Sequence, residues 1–215
     1  MANEWLDLWN TRFSEPGYAY GETPNVYLAE QLEGLPPGTI LFGAEGEGRN
    51  AVYAARQGWT AAAFDISEAG RNKALQLARK YGVEIDYRVG DLPELGFQPA
   101  QFDVVALIYA HFPPRVRGPY HRLLDTYLKP GGKLIFEAFG ERHLSYRERD
   151  PKVGGPWDDR LLFSEEELRR DFADYAVEEL EERERELHQG KYHNGVGSVL
   201  RFTGRKAAAP REHFL

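Results

Sequence analysis

The chain has 215 residues, of which 42% are hydrophobic and 28% charged, with no cysteine and a formal net charge of −7. This suits one globular domain, expected over residues 1–206, binding a small molecule; nucleic acid and anionic membranes reward clustered Lys and Arg, which an acidic chain does not favour. Disulfides, thiolate metal sites and a Cys nucleophile are excluded, and with neither a basic leader ahead of an apolar run nor eighteen consecutive apolar residues the expectation is a soluble cytoplasmic protein, monomer or homodimer.

In MANEWLDLWNTRF, Trp5, Leu6, Trp9 and Phe13 stand at helical spacing, an amphipathic start. Thr23-Pro24 reads as an N-cap and first helical position, opening a helix to about Glu33 that LPPG ends. TILF (39–42) is a short buried strand running into Gly43. Apolar spacing from Glu47 to Gln57 is helical, TAAAFD (60–65) is the next strand, and Ser67 caps a helix to about Tyr81. EIDYRV (84–89), FDVVALIYA (102–110), a helix from near Pro114 to Tyr127, and KLIFEAF (133–139) after the turn KPGG continue the alternation. Nearly continuous apolar strands between helices imply a parallel sheet covered on both faces.

Ser164-Glu165-Glu166-Glu167 is a capping box. Beyond it, Val177, Leu180, Glu184 and Leu187 keep helical spacing, whereas SVLRFTGR alternates as a strand does. We expect an antiparallel strand pair joined near Gly190 to Gly195, with residues 176–188 the ambiguous part. AAAPREHFL (207–215) reads as a frayed tail.

GAEGEGRNA (43–51) is the most informative stretch. A glycine-rich turn from strand to helix lets backbone approach a ligand, and the unpaired N–H groups behind it carry partial positive charge. GEGRNA also fits G-x-G-x-x-[G/A], with Asp65 at ribose-binding distance, so a nicotinamide dinucleotide is one reading. Glu45 and Glu47 favour another, because a carboxylate a few ångströms from diphosphate repels it by several kcal/mol at an effective dielectric of about 20. The blander role for both is to complement the helix dipole while facing solvent. Asp65 alone would be a strand-end cap, and Asp91 in VGDLPEL a turn starter at Leu92-Pro93.

ILFGAEGEGRNAVYAARQGWTAAAFDIS resembles motif I of the class I S-adenosylmethionine-dependent methyltransferases, and GDLPEL, FDVVALIYAHFPP and LKPGGKLIF resemble the later motifs in family order. More narrowly, AEGEGRNA, WNTRFSEPGYAYGETPNVYL and YHNGVGSVLRF are similar to a small bacterial branch related to the tellurite-resistance and thiopurine methyltransferases. The resemblance implies a Rossmann-like methyltransferase fold: a doubly wound, mostly parallel seven-stranded sheet with helices on both faces and an antiparallel C-terminal strand pair. It implies S-adenosyl-L-methionine as cofactor, S-adenosyl-L-homocysteine as its product, and a small-molecule acceptor such as a thiol or chalcogen oxyanion. Phe42 stands where most relatives carry an acid, and Glu45 is inferred to replace it from a shifted position.

By the same resemblance, Glu45, Gly46 and Gly48 would surround the methionine part of the cofactor, with Asn50 also counted as cofactor-binding. Asp65 and Ile66 would take ribose and adenine, Asp91 and Leu92 the adenine edge, and Ile108 the ammonium through its carbonyl. Residues 1–33 would form a helical lid bearing Trp9, Arg12, Phe13, Tyr20 and Asn25, although Trp9 and Phe13 have simple packing as their commoner role. Tyr20, in a Gly/Pro-rich loop, is the best lid residue and is taken as catalytic with His111. His111, just past the fourth strand, is the candidate base for an alcohol or amine acceptor, with Tyr109 lining the pocket. His188, Tyr192 and His193 hint at a metal, but turn composition explains them, and no metal is expected. A non-catalytic S-adenosylmethionine-binding protein is a third reading, beside the NAD(P)-dependent oxidoreductase.

Overall fold

The structure is a computed structural model that describes residues 2–208. Seven strands, β1 (Thr39–Gly43), β2 (Thr60–Asp65), β3 (Asp86–Val89), β4 (Phe102–Ile108), β5 (Leu128–Phe139), β6 (Tyr175–Gln189) and β7 (His193–Lys206), form one sheet in the order β3-β2-β1-β4-β5-β7-β6. The first five are parallel; β7 runs antiparallel to β5, and β6 antiparallel to β7. This is the expected doubly wound methyltransferase fold.

Alternate residues of a strand serve opposite faces, and both faces of β1, β2 and β4 are covered, which is why these strands carry few polar positions. Leu41, Val105, Leu107, Leu134 and Phe136 pack with Leu124 and Tyr127 of α5 (Pro114–Tyr127) and Leu168 of α7 (Glu165–Asp171). Ile40, Phe42, Val104, Ala106 and Ile135 pack on the other side with Tyr27, Leu28 and Leu32 of α2 (Val26–Leu32) and Ala51 and Ala54 of α3 (Arg49–Arg56). α4 (Glu68–Tyr81) closes the second face beside α3, and α1 (Ala2–Ser14) lies against α4. A further short helix, α6 (His143–Arg149), follows β5.

Several boundaries differ from the sequence reading, each for a physical reason. Asn25, not Thr23, caps α2: its Oδ1 accepts from the Leu28 N–H at 2.9 Å, while its own N–H donates to Asn50 Oδ1, so a tertiary contact fixes the start. α3 begins at Arg49 rather than Glu47 because Gly46 and Gly48 are left-handed, with φ of 60° and 83°. β4 stops at Ile108 because Tyr109 also turns left-handed. β5 starts five residues early, Leu128 pairing with Phe102 before the register shifts. Ser164 caps α7 as expected, accepting from the Glu167 N–H.

Residues 176–188 are strand throughout, paired in register from Tyr175↔Lys206 to Gln189↔His193 with one shift between Val177 and Glu179. The helical spacing loses because β7, buried along most of its length, needs a partner for its outer row of N–H and C=O groups. Of the anticipated tail at 207–215, only the first two residues lie within the described part.

Candidate active site

The strand order reverses direction between β1 and β4, so ligands are expected in the crevice beyond their C-terminal ends. Among the described residues, two of the three non-glycine positions with positive φ sit there: Ala44 (51°) follows β1 and Tyr109 (54°) follows β4. Such backbone costs on the order of 1–2 kcal/mol per residue and persists where the surroundings enforce it. The two turns follow the C-terminal ends of adjacent strands, and Tyr109 lies within electrostatic reach of Arg49 at the start of α3.

Within the glycine turn the polar groups are wired to one another. Glu45 Oε1 accepts from the backbone N–H groups of Asn50 and Ala51, each at 2.8 Å, and its Oε2 accepts from the Asn50 amide at 3.3 Å. It therefore caps α3 from in front of the turn. Asp65 Oδ2 accepts from the Gly46 N–H at 3.0 Å and Oδ1 from the Ser67 N–H at 2.9 Å, tying the first turn to the second. The Tyr87 hydroxyl donates to the Gly46 carbonyl at 2.6 Å. Burial pushes the Glu45 carboxyl up to about 7 and the Asp65 carboxyl to about 6, against the pull of these donors. Gly48 is required for a reason other than ligand approach: a Cβ there would strike Ala74 of α4.

Glu47 neither faces solvent nor lies free beside a ligand, which corrects both roles offered for it. It is 5% exposed, accepts from the Ala19 N–H at 2.6 Å and pairs with Lys73 at 2.7 Å. Lys73 also donates to the Glu15 carbonyl, so this pair latches the N-terminal loop onto α4. The same loop is gripped from the other side by the β6–β7 turn: the Lys191 N–H donates to the Ala19 carbonyl at 2.7 Å and the Tyr192 hydroxyl to Glu15 at 2.7 Å. Phe13 is buried directly over Gly46, where a Cβ would come within 2.8 Å of its ring, and Trp9 stacks on Phe13 at 5.3 Å. Tyr20 is half-buried, accepts from Arg12 at 3.0 Å, and lies 4.6 Å from the His193 ring.

His111 Nδ1 stands 2.8 Å from the Leu161 carbonyl; a carbonyl only accepts, so Nδ1 carries the proton and Nε2 keeps its lone pair. The one donor toward Nε2 is the Phe139 N–H at a long 3.5 Å. Burial lowers His111 to about 4, which leaves it neutral at physiological pH. Tyr109 and Phe139 flank it. Ile108 is buried at the end of β4, Ile66 is half-buried after Asp65, and Leu92 is buried beneath the exposed Asp91, after which a single 3₁₀ turn begins. His188 is exposed against Glu186 while His193 is buried against Tyr109 and Phe139, so the residues that hinted at a metal diverge. Among the described residues no three His, Cys, Asp or Glu side chains could jointly hold a metal ion, and no helix is long and apolar enough to cross a membrane. A groove of about 720 Å³ beside Tyr53 and Trp59 opens at the opposite end of the sheet, near the starts of β1 and β2, away from this chemistry.

Residues 40–132 match a family model described as a methyltransferase domain. That stretch is a methyltransferase domain. It spans β1 through the beginning of β5 and contains both strained turns. No curated protein matches the chain significantly. Solved structures share the methyltransferase fold at low identity. One, described for the conversion of a disulfide bond into a thioacetal group during echinomycin biosynthesis, is 18% identical with a TM-score of 0.74, covering 95% of this chain and 93% of that one. TehB from Haemophilus influenzae is 17% identical with a TM-score of 0.68, over 94% of this chain and 66% of that one. Magnesium protoporphyrin IX methyltransferase (ChlM) from Synechocystis PCC 6803, a structure with bound S-adenosylhomocysteine, is 15% identical with a TM-score of 0.67, over 96% and 100%.

The sequence reading of the methyltransferase overlooked a buried polar chain leading away from the turn. Asn25 Nδ2 donates to Glu137 Oε1 at 2.6 Å, and Arg201 pairs with Glu137 Oε2 at 2.7 Å, directly across the β5–β7 register. The signal was a lone Glu within KLIFEAF and a lone Arg within SVLRF, each a charge in an apolar strand that demands a partner. Arg49, buried beside Tyr20, was also overlooked.

Proposed function

We propose that this methyltransferase carries a methyl group from S-adenosylmethionine to a small-molecule nucleophile by direct in-line displacement. The observation that carries the reading is the grouping, beyond the reversal between β1 and β4, of two strained turns, two buried carboxylates and a neutral imidazole whose Nε2 accepts only one long bond, from the Phe139 N–H. Glu45, Gly46, Gly48 and Asn50 would support the methionine part and Ile108 its ammonium. Asp65, with Ile66, would take the ribose, for which each carboxylate oxygen retains a lone pair beyond its one backbone bond; Asp91 and Leu92 would border adenine. When bound, the cofactor supplies a sulfonium-activated methyl carbon whose S–C electron pair leaves to sulfur as the new bond forms.

The chain's own residues then position, desolvate and accept a proton. Phe13, Trp9 and Tyr20, latched by Glu47–Lys73 and the β6–β7 turn, cover the turn and exclude water. Where the acceptor is an alcohol or amine, its proton passes to His111 Nε2; a thiolate needs no base. The protein acts as a cytoplasmic monomer or homodimer with no nucleic-acid partner. Scanning fluorimetry against S-adenosylhomocysteine and NAD, followed by labelled methyl transfer to thiols, phenols and selenite, tests this. Stabilisation by S-adenosylhomocysteine with transfer to at least one acceptor is expected; stabilisation by NAD alone would refute it, and binding without transfer would mark a binding protein.

A further inference from the structure

The same site contains a buried cation in no direct ion pair among the described residues, with the carboxylates of Glu45 and Glu137 acting on it only from a distance. Arg49 is 8% exposed and forms no ion pair with any described residue; its guanidinium donates to two neutral acceptors, the Tyr20 carbonyl at 2.9 Å and Gln189 Oε1 at 2.6 Å. A guanidinium buried on neutral partners alone is costly, and three of its five N–H groups remain to be used. Beside it the Tyr109 hydroxyl and His193 Nδ1 are buried with no hydrogen-bond partner, their rings 4.7 Å apart. His193 is 5% exposed and Tyr20 stands 4.6 Å from its other side.

Two more arginines stand behind this group without an ion pair to any described residue. Arg12 donates to the Tyr20 hydroxyl and lies 4.6 Å over the Tyr192 ring; Arg147 lies 4.0 Å over Trp157, and its Nε is buried without a partner. These three arginines leave guanidinium N–H groups unpaired among the described residues, although Glu15, Glu45 and Glu137 lie within electrostatic reach of Arg12 and Arg49. The walls are rings, Tyr20, Tyr109, His193 and Phe139, which suit a carbon body rather than a bare inorganic ion.

Building on the methyltransferase reading above, we infer that the methyl acceptor is a small organic acid. Its carboxylate docks on Arg49 with Tyr109 and His193, its carbon body packs against the aromatic rings, and its nucleophilic end points toward His111. The carboxylate supplies what the site lacks: two acceptor oxygens matched to the guanidinium fork and a charge that offsets Arg49.

Benzoate and benzamide are the probes, titrated calorimetrically into the protein saturated with S-adenosylhomocysteine, with inorganic phosphate as a third arm. Failure to take up S-adenosylhomocysteine would sink the methyltransferase reading before the probes are added. With that complex formed, benzoate is expected to bind about tenfold more tightly than benzamide, the scale of a charge-assisted pair over a neutral one. Arg49→Met should erase the preference and leave S-adenosylhomocysteine affinity within about twofold, uptake of the latter also reporting that the variant is folded. Tyr109→Phe, which removes a hydroxyl with no partner in the protein, should weaken benzoate in the same complex even if Arg49→Met does not fold. No uptake of benzoate, equal affinity for benzamide, or phosphate binding as tightly as benzoate would overturn the inference. Loss of S-adenosylhomocysteine by a folded Arg49→Met protein would also overturn it, by assigning the guanidinium to the cofactor's own carboxylate.

Discussion

Glu45→Gln separates the electrostatics of the turn from its hydrogen bonding. Glu45 is buried, and desolvation lifts its carboxyl from an ordinary 4.5 to about 7 even though two backbone amides and Asn50 donate to it. A carboxyl whose folded value lies above its unfolded one holds a proton that the unfolded chain has already lost. Its contribution to stability is therefore present in full below about 4.5 and disappears as pH rises through about 7. A displacement of that size is worth about 3 kcal/mol. Glutamine keeps an acceptor for the Asn50 and Ala51 amides but sets its own NH₂ against the Asn50 NH₂, which costs about 1 kcal/mol at every pH. Asn50 does not turn over to relieve this, since its Oδ1 already accepts from the Asn25 N–H. The variant should thus be slightly less stable than the parent near pH 4.5 and more stable near pH 8, a swing of about 3 kcal/mol, or about 6–12 °C in relative melting temperature for a chain of this size. Asp65 titrates alike in both proteins and cancels. Denaturant melts at four pH values measure the difference directly. A difference that stays constant with pH, or a variant that loses ground toward pH 8, would show that Glu45 is an ordinary ionised cap and that the desolvation argument is wrong.

Asp65→Ala should weaken S-adenosylhomocysteine binding by about 1–3 kcal/mol by calorimetry, and unchanged affinity would place the ribose elsewhere. Lys73→Met leaves Glu47 with the Ala19 N–H alone; it should cost about 3 kcal/mol of stability and speed hydrogen exchange at the Ala19 and Lys191 amides while the central strands keep their protection. With His111 held near 4 by burial, kcat at saturating donor for an alcohol or amine acceptor should stay flat from pH 8 to pH 6; a limb centred near 6.5 in the parent that disappears in His111→Gln would show that the imidazole is solvated instead.

The sheet was legible because buried parallel strands have few ways to be written: TILF, TAAAFD, FDVVALI and KLIFEAF are apolar on both faces and each is followed by a helix or a glycine turn. β6 was hard to read locally, since its Glu and Arg residues satisfy either a solvated helix or an edge strand and only pairing with β7 decides. Strand ends failed by one or two residues wherever left-handed backbone intervened, as at Tyr109, because a tyrosine gives no sign of positive φ. The candidate site divides the same way. The turn and the two acids were visible as a local pattern, whereas Arg49, His193 and Gln189 gather from segments up to 144 residues apart (193 − 49), which no spacing rule reports.

The acidic turn disfavours diphosphate, but by a different route from the repulsion the sequence suggested. Glu47 has its charge taken up by Lys73 and its second oxygen by Ala19, so it repels little. Glu45 acts by occupation. In a dinucleotide site the phosphate is held by the free N–H groups at the start of the helix, and here the amides of Asn50 and Ala51 already donate to the Glu45 carboxylate while the Gly46 amide donates to Asp65. A diphosphate would have to displace two carboxylates into a buried pocket to claim those donors. What remains exposed toward a ligand is the opposite polarity, the unused lone pairs of those carboxylates, and these suit hydroxyl and ammonium groups. A methyl donor with no phosphate is thus the cofactor chemistry that this turn accommodates without rearrangement, and the occupied amides, more than the net charge, make it so.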